Sequence, residues 1–380
     1  MRQITLAILT LIVLILSACA VQQQQIEEKK ELQGSYKIGV MMPLTGDAAA
    51  YGIAEQRGIK IALDEINSKG GVNGKKLEAI YEDSKCNPKD GSAAAQKLVN
   101  IDKVKVIIGG ACSGETLGAA PITEANKVIL ISPTASSPDV TKAGDFVFRT
   151  YPTDAYAGII ASEYAYNDLK AKKAALITET TDYAQGLRKV FKENFAKLGG
   201  EIVADETYNP EDTDFRTQVT KVKSVEPEVI YIVPQAPAKG LLLLKQIKEL
   251  GLKQPIMTAE VLIGKKNVVD NPAELEGITG VELKFDEKKP KAAALLSKYK
   301  QVSGEEPEFP SFIATAYDAT NLIADAILEK GYDGEKIRDY LYAVKDYDGA
   351  AGKITMDENG DPIMEYSVKQ VKNGELVVLK

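Results

Sequence analysis

The stretch from Val104 to Asp139, VKVIIGGACSGETLGAAPITEANKVILISPTASSPD, does most to narrow what this chain can fold into. Val104–Ile108 is a short apolar run of mostly β-branched residues, which reads as a buried parallel strand. It runs into Gly109, Gly110, Ala111, Cys112 and Ser113, and then into a helical pattern. Val128–Ile131 repeats the plan and ends in Ser132, Pro133, Thr134, Ala135, Ser136 and Ser137. Both strands are therefore expected to finish in small or hydroxylated residues at the start of a helix. Glycine lets a ligand approach the backbone closely, and a helix N-terminus offers free N–H groups to an anion. In an open α/β sheet, ligands sit at the carboxyl ends of the strands. The two adjacent ends predict a place for one small carboxylate. The plainer alternative is that Ser113 and Ser136 only cap helices.

The same alternation runs through the chain. Tyr36–Met41, Leu77–Asp83, Val104–Ile108, Val128–Ile131 and Asp145–Thr150 read as strands. Ile53 to Lys69 reads as a helix with Ile59, Ala62, Leu63 and Ile66 on one face, and Ser92–Asn100 as another. A second series begins after Tyr151-Pro152-Thr153-Asp154. Its expected strands are Lys173–Thr178, Glu201–Tyr208, Val229–Val233 and Pro255–Ala259. Its expected helices are Asp154–Leu169, Ala184–Leu198, Phe215–Ser224 and Ala238–Leu250. Thr279–Phe285 reads as a return crossing, and helices near Pro290–Gln301 and Ser311–Lys330 would rejoin the first series. Gly349–Lys380 reads as β-rich, with turns at Asn359-Gly360 and Asn373-Gly374. The order predicts an α/β protein of two lobes, each a doubly wound parallel sheet, with multiple crossovers and a cleft between the strand ends. Hinge closure is the expected motion. The expected limits are 1–19 for a leader, 20–34 for a flexible tether, 35–153 for the first lobe and 154–282 for the second. Residues 283–350 would return to the first lobe, and 351–380 would form a β segment mostly on the second.

Met1-Arg2-Gln3, the apolar run Ile4–Leu16 and then Ser17-Ala18-Cys19 have the layout of a secretory signal. The cysteine after small residues resembles a bacterial-type lipobox. That resemblance implies cleavage before Cys19 and lipid attachment to its sulfur. An uncleaved membrane anchor is the alternative. Either way the remainder is expected outside the cytoplasm. There a disulfide between Cys86 and Cys112 is the economical reading, with two buried free thiols as the alternative. A net charge of -7 without a strong basic patch argues against nucleic acid as a partner. The chain has no histidine. That removes the usual general base and the Ser-His-Asp and Cys-His arrangements, and it leaves too few ligands for zinc. No P-loop or dinucleotide spacing is present. We therefore expect no catalysis, no metal and no cofactor.

Several segments resemble the extracytoplasmic solute-binding proteins of the leucine/isoleucine/valine-binding group, which feed branched-chain amino acid ABC transporters. They are YKIGVMMPLTGDAAAYG (Tyr36–Gly52), ALDEINSKGGVNGKKLE (Ala62–Glu78), YEDSKCNP (Tyr81–Pro88), IIGGACS, ISPTAS and GAAGKITMDENGD (Gly349–Asp361). The resemblance implies the two-lobed type I periplasmic-binding-protein fold and a monomer. It implies an amino acid ligand between the lobes and an ABC transporter permease as partner. By this resemblance Ser113 binds the ligand carboxylate. Thr134 and Ser136, with Ala135 between them, hold carboxylate and amine. Tyr183 comes from the second lobe, Glu260 pairs the ammonium and Tyr51 lines the side-chain pocket. Cys86 and Cys112 match the family disulfide. Gln235 stands where branched-chain-specific members have tyrosine, and Ala184 where the family usually has glycine. A sensor of the same fold, binding an amide, urea or another small carboxylate for signalling, is the alternative function.

Overall fold

A computed structural model describes residues 32–380. The leader, the lipobox Cys19 and most of the tether lie outside the described residues. The first series runs β1 (Ser35–Met42), α1 (Ala49–Ser68), β2 (Lys76–Asp83), α2 (Pro88–Asn100), β3 (Val106–Gly109), α3 (Ser113–Asn126), β4 (Ile129–Ser132) and β5 (Val147–Arg149). Its five strands pair in parallel in the order β2-β1-β3-β4-β5. Neighbouring residues of β3 point to opposite sides of this sheet. Ile107 packs with Leu98 and Ala119 of α2 and α3. Ile108 packs with Leu322 and Ile323, which arrive from far along the chain. Both faces are covered, so both residue sets must be apolar, and the strands read as unbroken runs.

The second series runs α4 (Asp154–Glu163), β6 (Lys173–Glu179), α5 (Asp182–Lys197), β7 (Glu201–Tyr208), α6 (Arg216–Ser224), β8 (Val229–Val233), α7 (Pro237–Glu249) and β9 (Ile256–Ala259). Two short helices follow, α8 (Lys265–Asp270) and α9 (Pro272–Leu275), and then β10 (Thr279–Leu283). The same two-sided logic holds. Leu176 and Tyr231 face Phe191 and Phe195 of α5. Ile177 and Ile232 face Val219 of α6 and Leu243 of α7. Burying each such side chain is worth about 1.5–3 kcal/mol, so each sheet carries its own core.

The rest of the chain joins the two. α10 (Pro290–Ser303) and α11 (Pro310–Lys330) pack on α1, and α12 (Gly334–Tyr342) covers the first sheet. After the short pair β11 (Tyr347–Asp348) and β12 (Lys353–Ile354), strands β13 (Tyr366–Lys372) and β14 (Glu375–Val378) enter the second sheet. The chain thus passes between the sheets three times, through 150–153, 284–289 and 349–365.

Four expectations need correction. Thr279–Phe285 is not a crossing: β10 is a strand beside β9, because Val281 and Leu283 complete the core under α4. The second sheet is not purely parallel, since its order β14-β13-β10-β9-β8-β6-β7 ends in an antiparallel hairpin. That hairpin does turn at Asn373-Gly374, where both residues have positive φ, as a two-residue hairpin loop requires. Asp154–Leu169 is not one α-helix, because Tyr164–Asp168 forms a π-helical turn. No α-helix begins at Ser136: residues 133–139 are irregular and lead only to a single 3-10 turn at Val140–Lys142. The loop's backbone groups are taken by other partners: the Ser136 carbonyl accepts from Asp154 N, the Ser137 carbonyl accepts from Arg149, and Ser137 N donates to Ser113.

Candidate functional site

The two sheets present their strand carboxyl ends to one another, and the expected site residues meet there. Tyr51 follows β1, Ser113 follows β3, and Thr134 and Ser136 follow β4. Tyr183 follows β6, Gln235 follows β8 and Glu260 follows β9. Together with Ala111, Cys112, Val261 and Phe312 they enclose a cavity of about 20 Å³. That is room for one or two water molecules, so the cleft is shut. Gln235 meets the first half at two points. The Tyr51 hydroxyl donates to the backbone carbonyl of Gln235, and the Gln235 amide lies 3.8 Å from Cys112 Sγ. Larger grooves exist, such as one of about 680 Å³ between α1 and α8. Two charge pairs already cross it, Arg57 with Glu305 and Lys266 with Asp270, and none of the expected site residues lines it.

Ser113 is not a cap. Cys112 is the N-cap of α3, and the Glu115 carboxylate reaches back to the Cys112 N–H at 2.9 Å. The Ser113 hydroxyl is left to face the cleft, where it accepts from Ser137 N at 3.1 Å. Gly109, just upstream, has φ +140, and a Cβ there would lie 2.0 Å from the Met41 carbonyl. Only glycine lets β3 end so close to β1. On the β4 side, Thr134 Oγ1 donates to Glu55 Oε1 at 2.7 Å. Ala135 does not line the cavity; its carbonyl is turned to a buried arginine, Arg149.

Sequence reasoning missed that arginine, and it organises the loop. Arg149 is fully buried at the end of β5. Its Nη1 donates to the carbonyls of Ala135 (3.2 Å) and Ser137 (3.0 Å). Its Nε and Nη2 grip the carboxylate of Asp361, Nη2 at 2.7 Å, and Nη2 also meets Thr141 Oγ1. The guanidinium thus fixes residues 135–137 and ties them to the third crossing.

Sequence reasoning also missed Asp154. It looked like an ordinary first-turn acid after the N-cap Thr153. In the fold its side chain accepts from Ser136 Oγ at 2.7 Å and its N–H donates to the Ser136 carbonyl at 2.7 Å. Burial pushes its carboxyl up to about 7, against the pull of the Ser136 hydrogen bond and Arg149. Glu260 is in the same position. Burial first, and then the nearby Asp154, push it well above the usual carboxylate range. The Tyr183 hydroxyl donates to Glu260 Oε1 at 3.0 Å. Glu260 Oε2 and Asp154 Oδ1 are both buried with no hydrogen-bond partner. Buried polar atoms are rarely left so, and no lysine or arginine lines the cavity. Among the described residues Glu260 is thus the one acid that lines the cavity, and Asp154 stands behind Ser136, each with one buried oxygen that has no partner.

A periplasmic binding protein family model matches residues 35–375. The chain belongs to the periplasmic binding protein family. This is a family of extracytoplasmic solute receptors rather than of enzymes. Over 328 residues the chain is 32% identical to the leucine-, isoleucine-, valine-, threonine- and alanine-binding protein of Pseudomonas aeruginosa, covering 86% of each. Among solved structures it resembles a branched-chain amino acid transporter substrate-binding protein of Streptococcus pneumoniae in complex with isoleucine. The TM-score is 0.81 at 32% identity, covering 91% of this chain and 99% of that one. A Rhodopseudomonas palustris solute-binding protein in complex with 3,4-dihydroxybenzoic acid matches at TM-score 0.79 and 26% identity, over 91% and 96% of the two chains. Solved structures of this fold therefore hold ligands with and without an amine.

Cys86 and Cys112 are joined in a disulfide with Cα atoms 5.3 Å apart, as the sequence led us to expect. The bond closes a loop with sequence separation 26, worth about 3.5 kcal/mol in the chain-entropy model. It also anchors Cys112, the neighbour of Ser113. A Cys86→Ala/Cys112→Ala double variant should lose about 2–5 kcal/mol of stability in urea unfolding. Its stability should be unmoved by reductant, whereas the parent should lose a similar amount when reduced.

Proposed function

We propose that this chain is a lipid-anchored extracytoplasmic receptor that binds a free α-amino acid in the cleft and delivers it to an ABC transporter permease. The observation that carries the reading is the pair of buried, half-satisfied carboxylates at Glu260 and Asp154. An ammonium group in the cavity would pair Glu260, which lines it, and its charge would also favour the ionised form of Asp154 behind Ser136. The ligand carboxylate would sit at the N-terminus of α3, against the Ser113 hydroxyl, where the helix dipole favours an anion; the hydroxyls of Thr134 and Ser136 would have to turn to it from Glu55 and Asp154. Val261, Phe312 and Tyr51 give the remaining wall an apolar character that suits a small side chain of the branched-chain type. Gln235 adds a polar group there.

The same observation weighs against a benzoate-like ligand and against the amide or urea sensor. A plain carboxylate would enter a cavity whose titratable acid is Glu260, and a neutral amide would offer that acid no counter-charge. Anchoring rests on the lipobox at Cys19.

Native mass spectrometry of gently purified protein tests the ligand directly. We expect an adduct with the mass of a free amino acid, either carried through purification or acquired from an amino acid mixture. A nitrogen-free acid as the sole adduct, with no amino acid bound from the mixture, would contradict the reading. Fatty-acid labelling should tag the parent and not Cys19→Ala; label on both would remove the anchor.

A further inference from the structure

The cleft closes along one helix face of the second half. Tyr183 and Gly186 stand three residues apart on α5, so they share a face. Tyr183 reaches the ligand cavity. Gly186 reaches the loop that carries Ser136. A Cβ on Gly186 would lie 2.9 Å from Pro138 Cδ and 2.9 Å from Ser137 Oγ, both from the first half. Contacts that short do not occur, so one side must move. Gly186 has no unusual φ, so the backbone does not demand glycine there; the opposing loop does.

That loop has little freedom to give way. Arg149 holds the carbonyls of Ala135 and Ser137, Ser137 N donates to Ser113 Oγ, and Pro138 has a fixed ring. The alternative is for the halves to stay further apart. A neighbouring approach behaves differently. A Cβ on Gly114 would lie 2.9 Å from Asp182 Oδ2, but Asp182 is an exposed, flexible side chain that can swing aside.

We propose that Gly186 is a positioning residue: the absent side chain at this point sets how far the halves close, and so sets ligand affinity without touching the ligand. The inference rests on the reading that the ligand is held between the halves. It separates two quantities that a structural lesion would move together. In the middle of a helix, alanine is a better former than glycine. Gly186→Ala should therefore leave the melting temperature of the ligand-free protein unchanged or raised. Its affinity should nevertheless fall by about 5- to 150-fold, the usual consequence of overpacking a tight contact. Gly186→Leu should lose more, and Gly114→Ala should lose less than Gly186→Ala.

The test uses the parent and these three variants. The proteinogenic amino acids are first screened singly on the parent, and the tightest is titrated into all four by calorimetry. Small-angle scattering follows, with and without that amino acid, and melting is measured without it. We expect weaker binding, an undiminished melting temperature and a larger radius of gyration for Gly186→Leu than for the parent. Equal affinities, or a loss of affinity matched by a lower melting temperature in Gly186→Ala, would overturn the inference. A parent that binds no amino acid would instead remove the receptor reading. The scattering of the free proteins would then decide, and equal radii for parent and Gly186→Leu would overturn the stop.

Discussion

Asp361→Ala should lower the unfolding free energy by about 3–5 kcal/mol, the usual cost of removing one partner from a buried ion pair. Arg149 is fully buried, and its compensating charge comes from Asp361. Without Asp361 the guanidinium is left as a buried charge against backbone carbonyls and a hydroxyl. Arg149→Met reaches a similar loss by another route. It strips the carbonyls of Ala135 and Ser137 of their donor and leaves the Asp361 carboxylate with only the Thr141 hydroxyl. Because the pair is one network, the double variant Arg149→Met/Asp361→Ala should be more stable than the sum of the single losses allows. Urea unfolding of the three proteins measures this. Single losses below about 1 kcal/mol would mean that the pair behaves like a surface salt bridge.

Glu260→Gln should weaken amino acid binding by about 30- to 1,000-fold, equivalent to about 2–4 kcal/mol for a charge-assisted pair in a dry site. The loss should have a pH signature. Burial pushes Asp154 up to about 7 and Glu260 well above the usual carboxylate range, so both hold protons in mild acid. Binding an ammonium requires them ionised, so protons leave as the ligand enters. Affinity in the parent should therefore rise as pH is raised through about 7. Free-state stability runs the other way. Carboxyls raised in the folded state hold protons that the unfolded chain has released, so this part of stability falls as pH climbs from the ordinary carboxyl range to about 7. In Glu260→Gln the carboxyl that burial and Asp154 push up is gone, and only Asp154 is left to release a proton. The pH dependence of the remaining affinity should accordingly move to lower pH. A variant with parent affinity and an unshifted profile would show that Glu260 does not meet the ligand.

The parts of this protein that were legible in its sequence are those set by burial on two sides. β3 and β4 announce themselves because both faces of the first sheet are covered, so Ile107 and Ile108 must both be apolar. The carboxyl-end position of Ser113 and Thr134 follows from the same strands. The unread parts depend on contacts between distant segments. Arg149 looks like one more residue in FVFRT until Asp361, 212 positions later, is placed against it. Asp154 carries the ordinary signature of a first helical turn, and only the third dimension buries it beside Glu260. Ser132–Asp139 was misread as the start of a helix because hydroxylated residues before a turn look alike in caps and in loops. β10 was misread as a crossing because its pairing with β13 lies some 90 residues downstream, at Thr279 and Gln370. Glu260 itself was named only through family resemblance, since a lone acid at a strand end carries no signal of burial.

The central claim is that the cleft reads an ammonium group with Glu260. The most direct measurement is calorimetry on a two-by-two set: the parent and Glu260→Gln, each with the preferred amino acid and with its deaminated analogue. The account predicts that the parent loses about 30- to 1,000-fold in affinity when the amine is removed, and that Glu260→Gln loses far less. Equal binding of the amino acid and its deaminated analogue by the parent would contradict it.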